Sequence, residues 1–303
     1  MAFISYILPL FIKKSRYLFL RGVLVSSLLI GSCYGDQLSE FTAQQGVETA
    51  KREARNNNPL IKEAVKAVAY TREALFALHL GNQQEGIKAL QQAILQLNVL
   101  LNTPNAPYLL PVDVQIQVVQ FIGDREDIAR LAQRGKELVN RGLFPKARQI
   151  LDSLRSEIVI KTINLPLSSY PPAIQLAIRY LNKGKVEEAR DILGMVLTTL
   201  VEVDRLIPIP LIKAQTLVEG AERLSKTNRK EALIFLREAK RELERARLLG
   251  YTSKTPIGYK KLEQEITRLE TGLQNGEEIT FLFQTLIKDL KEFKEKGILV
   301  YRR

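Results

Sequence analysis

The sequence has no tryptophan, one cysteine, one histidine and two methionines. A single cysteine cannot form an internal disulfide, so the chain has no disulfide framework. One histidine, His79, and one cysteine, Cys33, leave no ligand set for zinc or haem. The sequence has no nucleophile elbow, no phosphate-binding loop and no dinucleotide fingerprint. His79 falls late on an apolar helix and reads as a packed or partly exposed imidazole. Glu187-Glu188 and Glu277-Glu278 are paired acids, but both pairs open helices, where the macrodipole favours negative charge. The expectation is therefore a protein that is not an enzyme, with no catalytic, cofactor-binding or metal-binding residue and no cofactor.

The remaining composition is that of a folded chain. Hydrophobic residues make up 46% and charged residues 26% of 303 positions, enough to bury a core and too apolar for disorder. The formal net charge is +12, which attracts anionic surfaces but is weak evidence for nucleic acid. The abundance of Lys, Glu and Arg, with little Met, Cys and His, fits a thermophilic source.

Residues 1–35 read as a secretory leader. Lys13, Lys14, Arg16 and Arg21 precede the apolar run 22–31, and small residues follow at Gly31, Ser32, Cys33 and Gly35. The run is too short for a transmembrane helix, which needs about 20 apolar residues. Two cleavage readings stand. Ile30-Gly31-Ser32-Cys33 resembles a lipobox, which makes Cys33 a lipidation candidate and gives a membrane anchor. Cys33-Tyr34-Gly35 instead offers small residues for cleavage before Asp36. Either reading places the protein outside the cytoplasm, periplasmic or otherwise exported, away from DNA and RNA.

Beyond the leader, helical periods dominate. Helices are expected from Asp36 to about Arg55, capped by Asp36 or Ser39, and from Asn58-Pro59 to about Leu80. A third runs from Asn82 to about Leu101. Residues 112–118 alternate apolar and polar strictly, and 157–163 are β-branched, so both read as strands that pair with each other. A short third strand is expected at 201–203. Helix pairs are expected at 127–154, 174–200 and 211–250. The helix carrying REAKRELERARLL reads as a solvated, charged surface. Leucines, isoleucines and phenylalanines stepping by three and four over 259–293, broken at Asn275-Gly276, give a last coiled-coil-like antiparallel pair. The fold class is mainly α: successive αα-hairpins, a small sheet of two or three short strands and a C-terminal coiled-coil-like hairpin. The chain divides into 1–35, 36–250 and 251–303.

The hairpins share a turn unit. Gly142-x4-Ala147-x3-Leu151 and Gly184-x4-Ala189-x3-Leu193 match outright. Gly81-x4-Gly86-x3-Leu90 keeps a small second residue, and Thr227-x4-Ala232-x3-Leu236 keeps the last two. The small second residue lets two helices approach closely, and the glycine takes the left-handed conformation that ends a helix. The unit is similar to the tetratricopeptide signature, but its spacing is irregular and Val201 stands where that pattern has proline, so a regular array is not expected.

Tyr108-Leu109-Leu110-Pro111 before the alternating strand, then the hairpin that leads into EIVIKTINLPL and LNKGKVEEARDILGMVL, resembles the YfdX family of exported bacterial proteins. The resemblance covers roughly residues 60–205, with a weaker continuation over 211–250. It implies a mostly helical, periplasmic, non-enzymatic protein linked to envelope stress, with a chaperone-like role, and supplies no catalytic residues. Two functional classes follow. One is a holdase-like protein that binds unfolded clients in an apolar groove between hairpins. The other is a structural or adaptor protein of the envelope that docks a partner or forms a homo-oligomer. Tyr108, Tyr170 and Tyr180, at hairpin and loop junctions, are the groove-lining candidates.

Overall fold

The computed structural model describes residues 27–252 and 256–302. The basic part of the expected leader lies outside the described residues. Cys33 falls in the first helix, and its side chain is outside the description.

Eleven helices and four strands follow one another among the described residues. They are α1 (Ser27–Asn56), α2 (Lys62–His79), α3 (Gln83–Leu101), β1 (Leu109–Val119), α4 (Arg125–Asn140), α5 (Phe144–Ser153), β2 (Glu157–Pro166) and α6 (Tyr170–Asn182). Then come α7 (Val186–Thr198), β3 (Val201–Pro208), α8 (Ile209–Leu224), α9 (Arg229–Leu248), α10 (Pro256–Asn275), α11 (Thr280–Gly297) and β4 (Leu299–Arg302). The protein is mainly α.

Several starts differ from expectation. Ser39 does not cap a helix; it lies inside α1 and its hydroxyl donates to the Asp36 carbonyl, 2.9 Å. Asn58 does not cap α2 either. Its amide donates back to the Ala54 carbonyl at 2.6 Å, closing α1, and the chain stays extended through Ile61. At α4 the cap is Asp124, which accepts from the Asp127 backbone N–H at 2.7 Å. Prolines open α6 and α8 within their first turns, where a missing N–H costs nothing.

The turns follow the glycines. Gly81, Gly142, Gly184, Gly250 and Gly276 all have positive φ. The residue after each donates its N–H to a carbonyl five residues back, as Lys185 does to Tyr180 and Leu143 to Leu138. That bond closes a Schellman-type end and satisfies a helix carbonyl that would otherwise be unpaired.

The sheet is antiparallel with the order β1-β2-β3-β4. The expected pair is present, Ile116 opposite Ile160, with a register shift between Pro111 and Asp113. The third strand extends to Pro208, well beyond Val203. The fourth strand, β4, was not expected; four residues are too few for a periodic signal. One sheet face, with Val114, Ile116, Ile158, Ile160 and Ile207, packs on Val47 and Ala54 of α1 and on Ile209 and Ile212 of α8.

Two helical cores flank this centre. In the first, α2–α3 and α6–α7 interleave through Ala67, Leu90, Leu97, Ile174, Ala177, Leu181, Ala189 and Leu193. In the second, α8–α9 and α10–α11 share Leu217, Phe235, Leu243, Leu262, Ile266, Phe283 and Leu290. The C-terminal hairpin is therefore half of a common core with α8–α9, and its β4 joins the same sheet. The packing does not divide at residue 250.

Candidate functional site

The site is organised by α9. Ala232, Phe235, Leu236, Ala239, Leu243 and Ala246 form its buried stripe. A helical row beside the stripe carries Glu238, Glu242 and Arg245, spaced four and three apart. The row faces α1, α8 and the β1–α4 connection. The charge-dense helix is thus not only a solvated face, because tertiary packing covers one side of it.

Three cavities of about 920, 210 and 180 Å³ are lined there, and Glu242 lines all of them. The largest is an open cleft between α4, α9 and α10 whose walls are mostly charged, with Ile128 and Leu248 as apolar exceptions. The smallest is bounded by Asp36, Ser39 and Glu40 of α1, Leu217 of α8 and Glu238, Arg241 and Glu242 of α9, with Ala43 beside them.

The polar groups around Glu242 are held firmly. Lys213, 4% exposed, donates from Nζ to Glu40 Oε1 at 2.9 Å. Arg245 donates to the carbonyls of Phe121 (2.7 Å) and Gly123 (3.1 Å), with its guanidinium 6.0 Å from the Phe121 ring centroid. The Phe121 N–H donates to Ser156 Oγ, the Ser156 N–H to Tyr251 Oη, and Tyr251 Oη to Glu157 Oε2. This chain of bonds ties the β1–α4 connection to the second core.

Glu242 differs. Its Oε2 is enclosed and has no hydrogen-bond partner. Burial pushes its carboxyl up to about 7; Lys213 and Arg245 oppose this, and Glu40 and Glu238 add to it. Glu238 is also raised, first by burial, and Arg241 partly offsets that. Two residues on, Glu244 is shifted in the opposite direction. Hydrogen bonds from Arg247 and Tyr259 hold it down to about 2. Among the described residues no three His, Cys, Asp or Glu side chains stand close enough to hold a metal ion.

The sequence-derived candidates lie elsewhere. Tyr170 is fully buried in the first core, and its hydroxyl is pushed up to about 12 by burial. Tyr180 is half-buried, with Lys185 Nζ 5.9 Å from its ring centroid. Tyr108 is 69% exposed ahead of β1. None of the three lines these cavities. His79 is exposed, its Nδ1 2.8 Å from the Leu75 carbonyl. Sequence reasoning missed Glu40, Lys213 and Glu242. One signal was present: Lys213 interrupts the apolar run from Ile207 to Ala214, and a buried lysine needs a partner. Glu242 carried none, because its neighbours on α9 are charged as well.

No curated protein matches the chain. Among solved structures, Salmonella Typhi YfdX is similar at 16% identity and a TM-score of 0.38, covering 51% of this chain and 95% of that one. The YfdX protein family model matches residues 67–205, a span running from α2 into β3 that includes the strand pair and both hairpins quoted above. The likeness of this chain to the YfdX family rests on residues 67–205.

Proposed function

We propose that this is an exported binding protein with a chaperone-like, holdase role in envelope stress, and that none of its side chains performs covalent or acid–base chemistry. The observation that carries the reading is the apolar surface its helices leave outward. Phe76 and Leu80 on and beside α2, and Leu95 and Val99 on α3, form i, i+4 pairs at 54 to 66% exposure, with Leu101 beyond them. Isolated exposed leucines are ordinary on a soluble protein; two such pairs, one at the α2–α3 turn and one toward the far end of α3, offer separate apolar contacts along the hairpin for an extended unfolded chain. Such binding needs neither metal nor nucleotide. Excess protein is expected to suppress aggregation of an unfolded client at near-stoichiometric ratios without nucleotide. Replacing His79 leaves that property intact, and Phe76→Ser with Val99→Ser reduces it. Multiple turnover of a small substrate, abolished by one carboxylate substitution in a folded variant, would refute the reading.

A second reading, an envelope adaptor that docks a partner or a second copy, draws on the α4–α5 hairpin. Val139, Phe144 and Leu151 are 41%, 63% and 45% exposed there. Loss of a single crosslinked partner on Phe144→Ser, with client suppression unchanged, favours the adaptor. Recovery of the unprocessed leader, with Met1 at the N-terminus of a cytoplasmic species, removes the export premise. A diacylglyceryl group on Cys33 settles the anchor.

A further inference from the structure

The smallest cavity, between α1, α8 and α9, is acidic against the trend of a chain with a net charge of +12. Asp36, Glu40, Glu238 and Glu242 line it, and Arg241 is its one basic residue. Arg241 is a poor counter-charge, because its side chain is 74% exposed and reaches Glu238 from the solvent side. Lys213 lies at the edge and is committed to Glu40. Asp36 and Glu40 are exposed at its rim, Glu238 and Glu242 lie deeper, and the Glu242 Oε2 is enclosed with nothing donating to it. An enclosed acceptor without a donor is costly, more so when charged, so a native site that keeps one is suited to a donor arriving from outside.

The shape of the site and the spacing of its charges restrict the donor. Among the described residues no three acids converge closely enough for a metal ion. The carboxylates are spaced instead for a charge carried on a chain. Ala43 and Leu217 supply apolar wall for methylenes. The cavity shares Glu238, Arg241 and Glu242 with the large cleft, whose walls carry charges of both signs, Glu126, Glu263 and Glu270 among the acids and Arg125, Arg237 and Lys240 among the bases. From this geometry we infer that the α1–α8–α9 pocket binds an aliphatic di- or polyamine. One ammonium donates to Glu242 and Glu238, the methylenes lie on Ala43 and Leu217, and the remaining charge faces the cleft.

The ammonium selects the ionised form of Glu242, so binding strengthens as pH rises through about 7. The charged groups facing it are Asp36 and Glu40 from α1, Lys213 from α8, and Glu238, Arg241 and Arg245 from α9. Arg245 is fixed by the carbonyls of the β1–α4 connection.

Calorimetric titration of the whole protein with 1,4-diaminobutane at low salt tests the assignment. The expected result is saturable one-to-one binding at pH 8, several-fold weaker at pH 6. Glu242→Gln should weaken it at least tenfold and Glu238→Gln less. Glu63→Gln, on α2 away from the pocket, should leave it unchanged, and 1,4-butanediol should give no binding. Undiminished binding by a folded Glu242→Gln variant overturns the site, as does equal weakening by Glu63→Gln or no saturation at millimolar diamine. Should Glu242→Gln fail to fold, a flat pH profile for the unaltered protein has the same force.

Discussion

The hairpins α4–α5 and α6–α7 carry the same turn unit and end up in different surroundings. Gly142 and Gly184 both have positive φ, and Ala147 and Ala189 are both buried at the helix crossing. The third residue of the unit separates them. Leu193 is fully buried and Leu151 is 45% exposed. In α6–α7 the leucine meets a second hairpin, because α7 packs on α2 and α6 on α3. In α4–α5 it packs chiefly on its own partner helix, where a Cβ built on Gly135 would lie 2.9 Å from Leu151 Cδ2. The comparison teaches that the turn unit encodes a hairpin and does not encode what the hairpin packs against.

The largest expected effect is at that third residue. Leu193→Ala should destabilise by about 2–5 kcal/mol through lost burial and the cavity left behind. Leu151→Ala should cost roughly 1 kcal/mol or less, since much of its surface is already in water. Equilibrium denaturation of the two variants checks the ratio, and equal losses would end the distinction.

A smaller effect is expected beside the stripe of α9, where partners again decide. The folded-state value of Glu242 lies at about 7, above its ordinary 4.5. The folded protein therefore holds that proton more tightly than the unfolded chain. The associated stability is fully present below about pH 4.5 and is lost as pH rises through 7. Glu242→Gln, which has no proton to lose, should raise stability at pH 8 by about 1–3 kcal/mol and change it little at pH 5. Glu244 has the opposite sign. Its lowered value supports folding above its ordinary range, and that support disappears as pH falls toward 2. Thermal melts of Glu242→Gln and Glu244→Gln at pH 3, 5 and 8 should therefore move in opposite directions. Parallel behaviour would show that the two glutamates share one environment.

The smallest effect, and the one that should not differ between hairpins, is at the glycines. Gly142→Val and Gly184→Val should each cost about 1–2 kcal/mol, because a β-branched residue is strained at positive φ whatever surrounds it. A Cβ added to either glycine would point into open space, with no packed atom within 4 Å, so backbone conformation alone is tested. Similar shifts in melting temperature are expected. A large excess at Gly184 would mean that the turn, too, depends on its neighbours.

Local chemistry was legible in the sequence. Glycine, proline and the three-four stepping of apolar residues fix hairpins within about twenty residues of chain, and alternation at 112–118 with β-branching at 157–163 fixes a strand pair. Some local signals misled. Asn58-Pro59 has the composition of a helix start, yet Asn58 closes α1 because the Ala54 carbonyl lay within its reach. What the sequence could not decide is which stripe meets which. The stripes of α2, α6, α9 and α10 are chemically alike, and burial rewards any apolar partner in proportion to area without naming one. Only the tertiary structure placed the last hairpin on α8–α9, left α4–α5 partly bare, and laid α1 over α9 so that Glu40, Lys213 and Glu242 meet across about 200 residues of chain. Burial of a carboxylate depends on how distant elements pack, and no window of sequence around Glu242 contains them.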